Sequence, residues 1–204
     1  MKVFLYLLHF PVYTLGPGTR VGLWLQGCTR HCPGCAAPET WDFPPEKAVP
    51  LEDLVQRILS FSCGPRRPDG LTISGGEPFD QPEALGELLR RLRGQAAVSD
   101  VLVYTGYRSD VLLERHPEFF ADPPLVAALV DGAFEKGNVT DSAWKGSENQ
   151  NLTIWKKEFS PRYEEWAKRA ARGLQKVRSG DTWLLLGIPR QEDVARLKNP
   201  YGPV

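Results

Sequence analysis

What this sequence lacks narrows it first. No apolar run approaches the roughly 20 residues a membrane-spanning helix needs. No segment is strongly basic, and 25 Lys and Arg balance 25 Asp and Glu, so the electrostatic footprint of a nucleic-acid binder is missing. Neither nucleic acid nor membrane is therefore expected as a partner. There is no internal repeat and no low-complexity tract. The apolar start, Met1 to Phe10, is broken by His9 and Pro11, and no small-x-small cleavage site follows it. A buried first strand is the better reading than a signal peptide. Cysteine is scarce, with four in 204 residues, and Cys63 stands far from the other three. A disulfide framework is not expected, and a reducing, cytoplasmic setting is favoured. By default Cys63 is a buried structural thiol.

What is present is concentrated in one stretch, Gly27-Cys28-Thr29-Arg30-His31-Cys32-Pro33-Gly34-Cys35. Cys28, Cys32 and Cys35 are spaced C-x3-C-x2-C, three thiols within eight residues. Such a trio can converge on one soft metal centre. It can hold zinc with a fourth ligand from elsewhere, or three irons of a four-iron four-sulfur cluster. The second arrangement leaves one iron open to chemistry. His31 is a possible zinc ligand, although its place inside the loop reads better as exposed. At this point both alternatives stand.

Along the chain, Val3 to Leu8 reads as a strand, Leu15 to Arg20 as a turn, and Val21 to Gln26 as a strand feeding the cysteine loop. Leu51, Leu54, Val55 and Ile58 recur at helical spacing. Leu71 to Ser74 is a strand ending in Gly75-Gly76-Glu77-Pro78. Asp80 and Glu83 fit a capping box for the next helix, striped by Leu85, Leu88, Leu89 and Leu92 and ended by Gly94. Val101 to Tyr104 is a strand leading into Thr105-Gly106-Tyr107. A short helix near Ser109 to Arg115 precedes a strand through Val130 that stops at Asp131-Gly132. Residues 137–151 are polar and loop-like. Leu152 to Trp155 forms a possible strand, and Tyr163, Trp166, Ala167 and Ala170 mark a helix whose aromatics belong to the core. Gly173 to Arg178 and Thr182 to Gly187, around Ser179-Gly180-Asp181, suggest a hairpin.

The alternation of strands and helices specifies an α/β fold with a mostly parallel sheet. Ligands of such sheets bind at the carboxyl ends of the strands. The cysteines, Gly75 to Pro78, Thr105 and Asp131 all fall at such ends.

Several motifs then occur together in order: Gly16-Pro17-Gly18-x-Arg20, Gln26-Gly27-Cys28, Cys32-Pro33-Gly34-Cys35, Pro38-Glu39-Thr40-Trp41, Ser74-Gly75-Gly76-Glu77-Pro78, Tyr104 to Tyr107, Asp131-Gly132 and Trp144 to Gln150. Over roughly Leu15 to Asn151 the chain resembles the radical S-adenosylmethionine (SAM) enzymes. Within them it is similar to the glycyl-radical-enzyme activating proteins, above all the branch that serves anaerobic ribonucleotide reductase.

That resemblance implies a single radical SAM domain over 1–204, with a cysteine loop at 27–41 and a C-terminal extension at about 152–204. It implies a [4Fe-4S] cluster on Cys28, Cys32 and Cys35, and SAM contacts from Gly75, Gly76, Glu77, Pro78, Thr105 and Asp131, with Ser147 and Asn149 as further candidates. No catalytic side chain beyond the cluster is assigned. Gly75 and Gly76 are expected to let backbone approach the methionine part of SAM. The implied partners are a glycyl-radical enzyme as protein substrate and a flavodoxin- or ferredoxin-like electron donor. Two positions depart from the wider superfamily: Gly34 where many members carry an aromatic, a glycine this branch shares, and Ala36-Ala37 where many activating proteins carry His or Tyr then Asn. A complete barrel needs ~250 residues. The expected fold is therefore an incomplete, splayed (βα) barrel, a curved sheet with helices on its outer face, open to a large partner. A radical SAM enzyme acting on a small molecule or short peptide, and a zinc-stapled binding module, are the alternatives.

Overall fold

A computed structural model describes residues 1–95, 98–168, 173–179, 182–190 and 192–193. Its strands are β1 (Lys2–Val12), β2 (Arg20–Leu25), β3 (Ala48–Pro50), β4 (Gly70–Gly75), β5 (Val101–Tyr104), β6 (Ala128–Asp131), β7 (Asn151–Ile154), β8 (Leu174–Ser179) and β9 (Thr182–Gly187). The helices are α1 (Leu51–Ser60), α2 (Pro82–Leu92), α3 (Ser109–Arg115) and α4 (Ser160–Ala167). Seven strands form one sheet in the order β3-β1-β2-β4-β5-β6-β7, and β8 and β9 form a separate hairpin. The four strands β2, β4, β5 and β6 run parallel, with β1 and β7 antiparallel on either side. The architecture is mixed α/β with a mostly parallel central sheet.

Alternation along the strands decides what covers each face. Val21, Leu23, Leu25, Leu71, Ile73, Val101 and Val103 point to one side, where Leu54 and Ile58 of α1, Leu85 and Leu88 of α2, and Leu112 of α3 bury them. Leu102, Ala128 and Val130 point to the other side, onto Tyr163 and Trp166 of α4. Beside them Val12 and Leu15 pack against Leu186 of β9. The helices were expected on one face only; α4 and the hairpin cover part of the opposite face. Tyr163 and Trp166 are core residues, as their spacing indicated. Ala170, the last mark of that helix, and the Gly180-Asp181 turn lie outside the described residues.

The N-terminal edges of the parallel strands are joined by a buried ion cluster. Arg20, fully buried, donates to Asp100 Oδ2 (3.0 Å), Thr72 Oγ1 (2.6 Å) and the Leu71 and Asp100 carbonyls (2.8 and 2.7 Å). The Tyr163 hydroxyl donates to Asp100 Oδ1 at 2.6 Å. The arginine of the Gly-Pro-Gly-x-Arg motif is thus an anchor at the far end of the sheet from the cysteines.

Three expectations need correction. β1 continues past Leu8 to Val12, because an irregularity between His9 and Val12 lets Pro11 sit where no ladder donor is required. The capping box does not form: Gln81 is the N-cap of α2 and makes no side-chain cap bond, while the Asp80 carboxylate turns to the cysteine loop. Cys63 is exposed in a 3-10 turn after α1, not buried. Among the described residues, no helix is long and apolar enough to cross a membrane.

Candidate active site

The cysteine loop leaves β2 and is closed at its base by main-chain bonds. Gly27 N–H donates to the Thr40 carbonyl (2.7 Å) and Cys28 N–H to that of Trp41 (2.8 Å). Gln26 Nε2 donates to the carbonyls of Glu39 (3.0 Å) and Asp42 (2.9 Å). The end of β4 is stitched to the same base: Gly76 N–H donates to the Leu25 carbonyl and Glu77 N–H to that of Gly27, both at 2.8 Å. Here the glycine pair has a visible purpose. Gly75 holds φ +99°, and a Cβ there would lie 2.5 Å from the Leu25 carbonyl oxygen. A Cβ on Gly76 would lie 2.7 Å from the Gly27 carbonyl carbon. Only glycine lets the two chains approach this closely. The space beside both residues is filled by the loop's own backbone.

Cys28, Cys32 and Cys35 are free, half-buried thiols on this one loop. Cys35 N–H donates to the Cys32 carbonyl (3.1 Å), and Ala37 N–H points at Cys35 Sγ (3.5 Å). Burial pushes the thiols of Cys28 and Cys35 up, while the backbone N–H groups of Arg30 and His31 draw Cys28 down and that of Ala37 draws Cys35 down. Main-chain donors aimed at sulfur suit thiolates bound to iron, whose potential such bonds tune. His31 is exposed, with φ +46°, and stacks on Trp41 at 4.6 Å. Among the described residues, no three Cys, His, Asp or Glu side chains gather closely enough to hold a single metal ion. Three half-buried thiols carried on one loop are the kind of donor set an iron-sulfur cluster takes.

Glu77 is the hub behind the loop. It is 2% exposed; Oε1 accepts from Thr105 Oγ1 (2.7 Å) and Phe79 N–H (3.0 Å), and Oε2 from Gly106 N–H (2.7 Å). Desolvation by burial raises its pKa to about 7 despite these three donors. Pro78 is buried in the turn that follows. Asp80, two residues on, straps the loop from outside: Oδ2 accepts from Thr29 N–H (2.6 Å) and Oδ1 from the Tyr107 hydroxyl (2.8 Å). The Arg30 guanidinium lies over the Tyr107 ring, 4.8 Å from its centroid. Neither Asp80 nor Tyr107 was singled out from sequence as a loop support. The signal for Asp80 was its place just after Gly-Gly-Glu-Pro, where a capping role competed for it.

Past the ends of β5 and β6 lies a polar cleft of about 360 Å³, lined by Arg30, Gly106, Arg108, Asp131, Glu135 and Asn149 among others. Asp131 Oδ2 accepts from Ser109 N–H (2.9 Å), but its buried Oδ1 has no partner. Asn149 Nδ2 donates to the Ala133 carbonyl (2.8 Å), and its buried Oδ1 also has no partner. Buried acceptors without donors are costly in a folded protein unless a ligand supplies them. Of the residues picked from sequence, Asp131 and Asn149 line this cleft. Thr105 and Glu77 lie behind it and bond each other. Ser147 is buried and accepts from Glu135 N–H (3.1 Å), shaping the wall without facing the cleft. Gly75, Gly76 and Pro78 lie at the loop's base.

The family described as a 4Fe-4S single cluster domain matches residues 14–153. The anaerobic ribonucleoside-triphosphate reductase-activating protein of Haemophilus influenzae is 32% identical over 157 residues, covering 74% of this chain and 98% of that protein. The protein of the same name from Escherichia coli K12 is 34% identical over 154 residues, 71% of this chain and 95% of that one. The one from Enterobacteria phage T4 is 27% identical over 148 residues, 69% and 90% respectively.

Proposed function

Because the chain belongs to the family of anaerobic ribonucleoside-triphosphate reductase-activating proteins, with their 4Fe-4S single cluster domain, we propose that it is a radical SAM activase that places a radical on a glycine of a partner reductase. The observation that carries this reading is three half-buried thiols on one loop beside a cleft lined by Asp131 and Asn149, each with a buried oxygen that has no partner.

Cys28, Cys32 and Cys35 would hold the cluster. When bound, cluster and SAM together supply reductive cleavage of the sulfonium, giving methionine and a 5′-deoxyadenosyl radical that takes a hydrogen atom from the substrate. Asp131 and Asn149 would receive the hydroxyl or ammonium donors of SAM in the polar cleft. Glu77, held by Thr105 and Gly106, fixes the ends of β4 and β5 against each other, and Gly75, Gly76 and Pro78 set the height of the loop above them. Ser147 holds the outer wall. Excluding water is the protein's other task, since the radical must meet only its substrate.

The whole chain, 1–204, is read as one radical SAM domain of the incomplete (βα) barrel type, with 27–41 as the cluster loop and about 152–204 as an extension. A low-potential flavodoxin- or ferredoxin-like protein is the proposed electron source, and the cytoplasm the proposed setting. The test is anaerobic: reconstitute with iron and sulfide, add SAM and a strong reductant, and assay 5′-deoxyadenosine. Wild type is expected to form it and Cys32→Ala to form none. A protein that takes up zinc and never cleaves SAM refutes the proposal.

A further inference from the structure

Besides the polar cleft, the cysteine loop borders a second and quite different space. A cavity of about 160 Å³ is walled by Cys35, Ala36, Tyr104, Phe134 and Pro189, with no charged residue in its lining among the described residues. A groove of about 250 Å³ shares Ala36 and Pro189 with it and runs outward between Tyr6, Ala37 and the strand β9. Among the described residues, the groove's one charged wall residue is Glu39.

Every residue from Trp183 to Gly187 lines this groove. Consecutive strand residues point to opposite faces, so a groove touching all of them runs along the strand's edge and not over one face. The opposite edge of β9 is paired with β8, and among the described residues β9 has no other strand partner, while the Leu186 carbonyl at its inner end accepts from Thr14 Oγ1 at 3.0 Å. An unpaired edge is a ready template for an extended chain. Nearby Trp183 is 56% exposed, an anchor for such a chain. The family match ends at residue 153, so this wall belongs to the part of the chain beyond it.

We propose that the free edge of β9 docks the extended, glycine-bearing segment of the partner reductase and guides it through the groove to the cavity at Cys35. This rests on the activase reading and adds the route by which the protein substrate enters. The polar cleft is lined by residues with unpartnered buried acceptors, whereas this space offers apolar walls and the edge of a strand with no second strand beside it among the described residues. Main-chain pairing asks little of side chains, which suits a segment whose reacting residue has none. Lack of charge in the inner cavity rejects segments carrying Lys, Arg, Asp or Glu at the reacting position.

The test compares Leu185→Arg and Trp183→Ala, both on the groove, with Leu113→Arg on the exposed side of α3. Purified anaerobic ribonucleoside-triphosphate reductase from the same organism is titrated onto each cluster-loaded protein under argon. SAM binding is titrated separately, and the glycyl radical is read by electron paramagnetic resonance. The groove variants are expected to weaken reductase binding about tenfold or more, with radical yield falling in parallel, while Leu113→Arg stays within about twofold of wild type. Groove variants that bind the reductase as wild type does overturn the docking site. Equal losses of SAM and reductase affinity assign the groove to the cofactor and also overturn it. A wild-type protein that cleaves SAM but neither binds the reductase nor forms the radical overturns the activase reading instead, and the occupant with it.

Discussion

Gly76→Ala is the sharpest probe of how the sheet holds the cysteine loop. The new methyl group would lie 2.7 Å from the Gly27 carbonyl carbon and 3.0 Å from its nitrogen, closer than side chains approach backbone. Relief requires the end of β4 to move away from the loop's base. That movement lengthens two main-chain bonds now at 2.8 Å, from Gly76 to Leu25 and from Glu77 to Gly27. Two bonds at about 1 kcal/mol each, with about 1–3 kcal/mol for overpacking, give a loss of about 3–5 kcal/mol. This is a large fraction of the roughly 5–15 kcal/mol that stabilises an ordinary domain. Because the strain falls on Gly27, next to Cys28, cluster content should drop with stability. The assay is urea unfolding of the apoprotein alongside iron and sulfide per chain after reconstitution. Gly137→Ala is the control, since nothing lies within 4 Å of a Cβ there. A Gly76→Ala protein with wild-type urea midpoint and full iron content would refute the reasoning.

Three further outcomes follow from the same geometry. Asp80→Ala leaves Thr29 N–H and the Tyr107 hydroxyl without their acceptor, so the cysteine loop should loosen and the reconstituted protein should lose iron to a chelator several times faster than wild type. The buried Glu77 carboxyl has its pKa raised from 4.5 to about 7, so folding favours its neutral form. Its contribution is complete below about pH 4.5 and is lost as pH rises through about 7, a fall of about 3 kcal/mol. Urea midpoints at pH 5 and pH 8 should show that slope in wild type and not in Glu77→Gln. Asp100→Asn leaves Arg20 as a buried charge without its counterion and should cost about 3–5 kcal/mol in urea unfolding, with no preferential loss of iron, because the pair lies at the far end of the sheet.

Much of the fold was legible because its signals are local. The stripe Leu51, Leu54, Val55 and Ile58 places α1 where the helix is found, and the hairpin read over Gly173 to Arg178 and Thr182 to Gly187 is found with its first strand one residue later, at Leu174–Ser179. Asp80 shows the limit. Its spacing to Glu83 satisfies a local rule, yet the nearest unsatisfied donors in space belong to Thr29 and Tyr107, on two other segments. Asp100 carried no motif at all; its importance exists only once Arg20 and Tyr163 are folded around it. Gly75 and Gly76 were recognisable as special, but what fills the space beside them is the backbone of Leu25 and Gly27.

The sequence by itself determined the elements and the chemistry they carry, because helix stripes, strand alternation and three closely spaced thiols are set by neighbours along the chain. The tertiary structure decided which of those residues face one another. It turned Glu77 and Thr105 toward each other, left Asp131 and Asn149 each with a buried oxygen that has no partner, and set β9 along the groove beside Ala36 and Ala37. Those pairings join residues tens of positions apart, and their energies depend on burial and distance, which the order of residues does not contain.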